Sequence, residues 1–280
     1  MNKQQTARRS SLIPSGPHKP RRSFFESSHA IQGPPGIGKT TIANSIVSTM
    51  NGGEKEIRPL FLATESGTHL MEAAEIPIPD WKTYLRALDQ LETLPHPYRT
   101  IVLDTVDNLV ARCTEHVCGV LGVNHPREVP YMGYDQLKAE FRRGIHRLAG
   151  LRNKDGAKLC PVFIAHTKEE PITREDGGRA QPTGRVYVRS ALPPWSQGIL
   201  HDAIDFLYGI HLDADGKRWL VTQTLDWPKQ KPEIRYQAKS RGTPAAQLPA
   251  MIPMNFDALR GAFDRTFGGH NGEDRNNGKQ

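Results

Sequence analysis

Residues 33–40 read Gly-Pro-Pro-Gly-Ile-Gly-Lys-Thr. This stretch matches G-x-x-x-x-G-K-[S/T] in full, between a short apolar segment (residues 29–32) and an amphipathic segment that starts at Lys39. Glycines allow consecutive backbone N–H groups to turn inward around an anion, and a helix that begins there adds its positive end. The stretch therefore predicts a phosphate-binding loop between a strand and a helix, called the phosphate loop below.

The phosphate loop implies a nucleotide with a divalent metal ion. Lys39 would reach the β- and γ-phosphates of ATP, and the Thr40 hydroxyl would ligate Mg²⁺. We expect the loop and the residue after it to surround the phosphates: Gly33, Pro34, Pro35, Gly36, Ile37, Gly38, Lys39, Thr40 and Thr41.

Apolar runs and amphipathic stretches alternate from residue 24 to residue 242, which is typical of β-α units on a parallel sheet. The expected strands are residues 29–32, 58–64, 100–104 and 161–165, and the expected helices are residues 39–50, 81–91, 106–117 and 134–148. Residues 51–53, Asn-Gly-Gly, would end the first helix, and residues 167–189 would form a polar loop. Asp213-Ala-Asp-Gly216 predicts a C-terminal β-hairpin. The sequence thus predicts the α/β class, with a mostly parallel central sheet flanked by helices.

The net charge of +7 is concentrated in the first 22 of the 280 residues. Six basic side chains and no acidic one occur there: Lys3, Arg8, Arg9, Lys19, Arg21 and Arg22. We interpret residues 1–22 as a disordered basic arm, either solvated or touching nucleic acid, residues 23–267 as one domain, and residues 268–280 as a disordered tail. Three cysteines are too few, and odd in number, for a disulfide scaffold, which favours a reducing cytoplasm. No apolar run approaches 18 residues, so no membrane span is expected.

A second acid, at the end of a neighbouring strand, would hold the Mg²⁺ together with Thr40. Asp104 follows the apolar run Ile101-Val-Leu and is the first candidate. Asp107 is a competitor, but three residues later it would lie inside the following helix. Aspartate after a strand is also a common helix N-cap, and Thr105 would take that role if Asp104 binds the metal.

Hydrolysis also needs a group that orients the attacking water. The residue directly after Asp104 is Thr105, whereas Glu65 follows the expected strand of residues 58–64. Glu65 is therefore the candidate base, with a solvated turn residue as the alternative. His166 ends the fourth expected strand, where it would either sense the nucleotide or serve only the structure.

Taken in this order, the phosphate loop, Glu65, Asp104 and His166 resemble the RecA-like ATPases of bacteriophages, which are related to the Rad51/RecA recombinases. The resemblance covers residues 28–245, and the strings that carry it are Thr64-Glu-Ser-Gly67, Ile101-Val-Leu-Asp-Thr-Val-Asp107 and Phe163-Ile-Ala-His166. It implies a RecA-like P-loop fold and ATP hydrolysis in DNA recombination, single-strand annealing or replication. It also implies that Glu65 follows the strand next to the strand of the phosphate loop.

The string Ala238-Lys-Ser-Arg-Gly242 resembles the C-terminal basic motif of the same family. In RecA-like assemblies such residues reach the ATP of a neighbouring subunit. The resemblance therefore implies a homo-oligomer in which Lys239 or Arg241 supplies positive charge in trans, and a surface charge pair is the alternative.

In RecA relatives the loop after the fourth strand contacts single-stranded DNA. Here that loop combines basic side chains for phosphates with an aromatic ring for stacking: Arg174, Arg179, Arg185, Tyr187 and Arg189. Residues 119–134 are a second candidate for this contact. Single-stranded DNA is thus an expected partner, with a single-strand-binding or replication protein as a further one, in the cytoplasm of a bacterial host.

Two other functions remain open on the sequence alone. The first is a nucleotide-gated binding module that loads or remodels a partner protein on DNA with little turnover. The second is a small-molecule kinase that uses residues 174–189 as a lid, although the order of Glu65, Asp104 and His166 favours an ATPase.

Overall fold

The computed structural model describes residues 23–50, 55–65, 67, 71–176, 179–227, 233–242 and 247–268, so the predictions for residues 1–22, 51–53 and 269–280 lie outside the described residues. The strands are β1 His29–Gly33, β2 Ser48–Met50, β3 Lys55–Ile57, β4 Leu60–Ala63, β5 Ala74–Pro77, β6 Thr100–Asp104, β7 Cys160–Asp176, β8 Arg179–Ser190, β9 Phe206–Leu212, β10 Arg218–Val221, β11 Leu225–Trp227, β12 Glu233–Tyr236, β13 Lys239–Ser240 and β14 Met251–Pro253. The helices are α1 Lys39–Asn44, α2 Trp81–Thr93, α3 Val106–Leu121, α4 Met132–Ala149, α5 Pro194–Ala203 and α6 Phe256–Phe267.

Six parallel strands form the centre of one sheet, in the spatial order β5-β4-β6-β7-β1-β9. Beyond β9 the sheet continues with antiparallel β10 and β14, and β13 pairs with the first residues of β9. β9 and β10 form the C-terminal hairpin that the sequence predicts. The predicted α/β class with a mostly parallel central sheet is confirmed.

The central strands are buried on both faces because successive side chains point to opposite sides of the sheet. In β6, Ile101 and Leu103 pack into the core beneath α2, α3, α4 and α5, whereas Val102 packs into the core beneath α1 and α6. β7 alternates in the same way, with Phe163 on the first face and Ile164 on the second. A helix layer on each face explains why these strands read as continuous apolar runs.

The carboxyl ends of the parallel strands meet at one edge of the sheet, and this edge collects the residues expected in the site. Gly33, the last residue of β1, is in register with His166 in β7. Asp104, the last residue of β6, is in register with Ala63, which ends β4 two residues before Glu65. The phosphate loop follows β1 at this edge, and Gly38 has φ 100°, a backbone conformation that favours glycine.

β4 does not lie next to β1, because β7 and β6 lie between them. The expectation that Glu65 follows the strand next to the strand of the phosphate loop is therefore wrong: β4 neighbours β6, the strand of Asp104. The order of strands along the chain does not fix their order in a parallel sheet, since a crossover connection can pass over a neighbouring strand.

The helix predicted over residues 39–50 is shorter, because α1 ends at Asn44. Ser48–Met50 instead forms a strand that pairs antiparallel with Lys55–Ile57. Serine, valine and threonine are weak helix formers, and they fill positions 45 and 47–49. The apolar spacing of Ile42 and Ile46 is real, since both side chains are buried, but the second lies beyond the helix.

The loop predicted over residues 167–189 is also wrong, because this segment forms a two-stranded ribbon. β7 continues past His166 to Asp176 and pairs antiparallel with β8 from Ser190 back to Arg179. β12 then joins β8 in parallel, and β11 joins β12. Most of the ribbon's side chains are partly or fully exposed, so the segment lacks the apolar alternation by which a half-buried strand is predicted.

Candidate functional site

The phosphate loop holds its own lysine. The Lys39 ammonium donates to the backbone carbonyls of Gly33 at 3.0 Å and Pro34 at 2.9 Å. Burial lowers the pKa of Lys39, and the nearby Asp104 and Glu65 carboxylates oppose this shift. The lysine is thus oriented within the loop by two neutral acceptors, which leaves its positive charge available to an anion.

Thr40 and Asp104 form the contact expected of a Mg²⁺ site. The Thr40 hydroxyl donates to Asp104 Oδ2 at 2.8 Å, while the buried Oδ1 of the same carboxylate has no hydrogen-bond partner in the described part of the chain. A Cβ on Gly67 would stand 3.7 Å from Thr40 Oγ1 and 3.8 Å from Asp104 Oδ2, so a residue without a side chain borders this pair. Burial raises the pKa of Asp104, which the hydrogen bond from Thr40 partly offsets. A hydroxyl and a carboxylate with one unpaired oxygen are oxygen ligands of the kind that Mg²⁺ prefers, so the residues fit this ion.

Asp104 is held in place by three hydrogen bonds that join Thr64, the residue after β4, to Asp104 and Thr105 at the end of β6. The Thr64 hydroxyl accepts from the Thr105 N–H at 2.7 Å and donates to the Thr105 carbonyl at 3.0 Å. The Thr64 N–H in turn donates to the Asp104 carbonyl at 2.8 Å. Because Glu65 follows Thr64 directly, the same hydrogen bonds fix the position of the candidate base relative to the candidate metal ligand.

Glu65 is exposed and is oriented by a residue that the sequence analysis did not select. Asn108, in the first turn of α3, donates from Nδ2 to Glu65 Oε2 at 3.1 Å. The only sequence signal for Asn108 is its spacing of four residues from Asp104, which places it one helical turn from the same edge of the sheet. The role of Glu65 as the base stays a prediction.

His166 and Asp107 form a second pair at this edge. The His166 N–H donates to Asp107 Oδ2 at 3.0 Å, and its ring Nδ1 lies 3.7 Å from the same oxygen. Burial raises the pKa of Asp107, and the hydrogen bond from His166 opposes the shift. Of the two acids considered from the sequence, Asp104 is the one that contacts Thr40, whereas Asp107 ties α3 to β7 at the start of the ribbon.

Two further side chains lie against the phosphate loop without any signal in the sequence. A Cβ on Gly38 would stand 3.6 Å from Met254 Cε and 3.9 Å from Arg218 Nη1. Arg218 begins β10 and Met254 follows β14, so the folding of the C-terminal hairpin brings both there. The Met254 N–H donates to the Arg218 carbonyl at 3.0 Å, which holds the two together.

Lys239 and Arg241 lie at the opposite edge of the sheet from this chain's own phosphate loop. β13 pairs with the first two residues of β9, whereas the loop follows the last residue of β1. The Lys239 ammonium donates to the backbone carbonyls of His201 and, at 2.8 Å, Ile204, at the end of α5. Arg241 pairs with Asp205 at 3.1 Å. Contact of either residue with a neighbouring subunit stays a prediction.

The five residues predicted to contact DNA all belong to the ribbon, but some of its arginines are already paired with carboxylates. Arg174 is exposed, and of Arg179 the structure describes only the backbone. Arg185 pairs with Glu233 at 2.6 Å, and Arg189 forms two hydrogen bonds with Glu170, at 2.5 and 2.7 Å. The hydrogen bond from Arg189 lowers the pKa of Glu170 to about 2. Tyr187 is half-buried in β8.

The loop, the Thr40–Asp104 contact and the surrounding parallel sheet define a P-loop nucleotide-binding protein. Residues 26–228 match the family described as AAA domain. Since this match spans more than half of the 280 residues, the chain belongs to that family, which indicates nucleotide binding and hydrolysis. No match to a curated protein was found.

The described residues contain no group of three or more His, Cys, Asp or Glu side chains placed to hold a metal ion by themselves. None of the described helices combines the length and the apolar character that a membrane span needs.

Proposed function

We propose that this protein is a RecA-like, Mg²⁺-dependent ATPase that acts on single-stranded DNA in recombination, annealing or replication of the kind that bacteriophages encode. The contact between Thr40 and Asp104 carries the ATPase part of the proposal, together with the buried carboxylate oxygen that has no hydrogen-bond partner among the described residues. The DNA part is supported by the position of the ribbon, which begins at His166 beside the phosphate loop.

Thr40 and Asp104 would hold the metal ion, which supplies positive charge to the phosphates when bound. Lys39 would donate to phosphate oxygens in place of the two loop carbonyls that accept its hydrogen bonds. This exchange needs only a change of acceptor, because the ammonium already lies within the loop. The loop glycines turn backbone N–H groups toward the same anion.

Glu65 would accept a hydrogen bond from the attacking water and orient it, with Asn108 holding the carboxylate through Oε2. The other carboxylate oxygen, Oε1, would face the water. The water attacks the γ-phosphorus, the bond to the bridging oxygen breaks, and ADP and inorganic phosphate leave with the proton of the water. The strand order is consistent with this arrangement, because β4 and β6 are neighbours and present Glu65 and Asp104 at one edge.

The phosphate loop and the ribbon are joined by the pairing of β1 with β7. Gly33 is in register with His166, and the His166 N–H is bound to Asp107 in α3. A shift at the phosphates would therefore act on the first residue of the ribbon through one strand pair. Arg174, together with Arg179, lies toward the far end of the ribbon, where a DNA strand would be bound.

A homo-oligomer would complete the site by bringing Lys239 or Arg241 of a neighbouring subunit to the nucleotide. Their distance from this chain's own phosphate loop is what such a role requires. Lys239 would then have to release the two carbonyls at the end of α5, and Arg241 would have to release Asp205.

The nucleotide-gated binding module is supported by one specific observation. Arg185 and Arg189 are already paired with Glu233 and Glu170, so the ribbon offers less free positive charge than its sequence suggests. Such a ribbon would bind a protein partner whose charged side chains replace one member of each of these ion pairs.

The test is the rate of ATP hydrolysis without DNA, with single-stranded DNA and with duplex DNA, at several protein concentrations. We expect stimulation by single strands, no hydrolysis by Lys39→Ala, and at least a tenfold lower rate for Glu65→Gln, which corresponds to about 1.4 kcal/mol of barrier. A specific activity that rises with protein concentration would support the contribution of a neighbouring subunit. Turnover that ignores DNA would contradict the DNA role, and tight binding with negligible turnover would favour the binding module.

A further inference from the structure

A cleft of about 880 Å³ lies at the edge of the sheet opposite the phosphate loop. Most of its lining comes from the segments that lead into the parallel strands: residues 23–27 before β1, residues 96–99 before β6, and residues 152–159 before β7, together with Asp205 before β9. Ser48 and Thr49 of β2 also line it. At 3.3 Å per residue, the five residues of β1 separate this edge from the phosphate loop by about 17 Å. The cleft is therefore distinct from the nucleotide site.

Three cations line the cleft without a carboxylate partner within 4 Å in the described residues: Arg99, Arg152 and Lys158. The Arg152 side chain donates to the Gly156 carbonyl at 2.8 Å, and the Arg99 guanidinium lies 5.0 Å from the centroid of the Phe25 ring. Neither contact neutralises the positive charge, so it remains available to an anion.

Two of the three carboxylates that line the cleft are already engaged. Asp205 accepts from the Ser28 N–H at 3.0 Å and from its hydroxyl at 2.9 Å, and it also pairs with Arg241. Asp155 accepts from Lys154 at 2.7 Å. Glu26 is exposed and is the third carboxylate. Because Lys154 and Arg241 already pair with the other two, the three cations face one remaining carboxylate, and the charge left for a ligand is positive.

An aromatic pair also lines the cleft. The rings of His96 and Tyr98 are stacked, with centroids 6.0 Å apart and planes at 26°. His96 Nε2 is hydrogen-bonded to the Leu91 carbonyl at 3.0 Å, which fixes the ring at the end of α2. Nδ1 of the same ring is buried and has no partner in the described part of the chain. Ordered rings beside free cations provide the stacking and phosphate contacts that unpaired nucleotides use.

We propose that this cleft binds a short stretch of single-stranded nucleic acid, with Arg99 and Lys158 on its phosphates and Tyr98 against a base. The proposal rests on the proposed DNA role and adds to it a second strand-binding surface, on the opposite edge from the ribbon. The chain reaches the cleft at Ser23, directly after the 22 residues that carry six basic and no acidic side chains. An acidic peptide would use the cations but has no need of the stacked rings, so the combination favours nucleic acid.

The test measures binding of a fluorescent oligothymidylate of about 20 nucleotides by anisotropy, over a range of salt concentrations and without nucleotide. Arg99→Ala combined with Lys158→Ala is expected to weaken binding at least tenfold. It should also reduce the slope of log K against log salt by about 1.4, because each single-strand phosphate contact contributes about 0.7. Tyr98→Ala should weaken binding by roughly tenfold with little change in this slope, since stacking releases no counterion. The matched control is Lys82→Ala with Arg86→Ala, which removes the same charges from the exposed face of α2.

The outcomes separate this inference from the proposed function. Wild-type binding that both double variants weaken equally, or that neither weakens, overturns the cleft site and leaves the DNA role intact. No binding by the wild type overturns the cleft site, while the DNA role is tested separately by the stimulation of ATP hydrolysis by single strands. Competition by polyglutamate as effective as that by unlabelled oligothymidylate of equal charge assigns the cleft to acidic polymers in general, which also overturns it. Thermal unfolding of each variant confirms that the loss is not one of folding.

Discussion

Replacing Asp104 by asparagine is expected to stabilise the protein without ligand and to abolish its response to Mg²⁺ and nucleotide. In the wild type, Oδ2 accepts from Thr40 while the buried Oδ1 has no partner in the described residues. Asparagine keeps an acceptor for Thr40 but removes the buried negative charge. An unsatisfied buried polar group costs about 1–3 kcal/mol, and more when it is charged. The amide stays unsatisfied but is neutral, so the loss of the additional cost of the charge should raise the free energy of unfolding by about 1–2 kcal/mol.

The dependence of this gain on pH follows from the pKa of Asp104, which burial raises above its ordinary value. In the range between the unfolded and the folded pKa, the folded state binds more protons than the unfolded state. The contribution of Asp104 to stability is therefore complete below the unfolded pKa and is lost as the pH rises through the folded pKa. The asparagine variant should thus exceed the wild type at pH 7.5, and the difference should vanish near pH 4.

With the ligand present, the wild type should be more stable than the asparagine variant. With Mg²⁺ and a non-hydrolysable ATP analogue at 100 times its dissociation constant, the wild type gains about 2.7 kcal/mol, and the variant should gain none. Urea denaturation at both pH values, with and without the ligand, gives the four free energies of unfolding of each protein.

The matched control for this measurement is Thr40→Val. It removes the donor to Asp104 Oδ2 and so should lower stability without ligand while also losing the response to Mg²⁺ and nucleotide. An asparagine variant that is less stable than the wild type at pH 7.5 would show that the protein itself satisfies the Asp104 carboxylate. An undiminished gain from the ligand in that variant would refute the assignment of Asp104 to the metal.

Asn108→Ala should lower the hydrolysis rate by roughly three- to tenfold at unchanged nucleotide affinity, because its side chain donates to Glu65 and so orients the candidate base. A double variant with Glu65→Gln should be no slower than Glu65→Gln alone. Gly144→Ala should destabilise the fold by about 1–3 kcal/mol in urea titrations, since its Cβ would stand 2.5 Å from a ring carbon of the fully buried Trp81; a stability equal to the wild type would mean that the ring can shift. Burial lowers the pKa of His29 to about 4. Between that value and about 6.5 the residue binds a proton only in the unfolded state, so the free energy of unfolding should fall by about 2 kcal/mol from pH 7 to pH 5. His29→Gln should lose this part of the pH dependence, and an unchanged dependence would assign it to other groups.

Local patterns in the sequence predicted most of the fold's centre. The strand that ends at Asp104 was recognised because both of its faces are buried, which produces an unbroken apolar run. α2 was recognised by its apolar stripe, and Asp80 adds a cap by accepting from the Thr83 N–H at 2.7 Å. The ribbon was missed because its strands are stabilised by pairing with each other, and no core face marks them with a period of two.

Some residues of the candidate site can likewise be predicted from local sequence, whereas others reach the site only through the fold. The phosphate loop needs glycine at fixed positions and a lysine and a threonine at fixed offsets, so its spacing alone identifies it. The support for Glu65 by Asn108, 43 residues away, has no local signature. The same holds for Arg218 against Gly38, since no spacing rule connects residues so far apart in the chain.

The α/β class, the phosphate loop and the two candidate metal ligands can be predicted from the sequence, because each depends on backbone conformation or burial within a few residues. The order of the strands, the pairing of the arginines in the ribbon, and the cleft at the opposite edge from the phosphate loop appear only in the folded protein. Those features are contacts between segments distant in the chain, and they exist only after the parallel strands have brought their starts to one edge and their ends to the other.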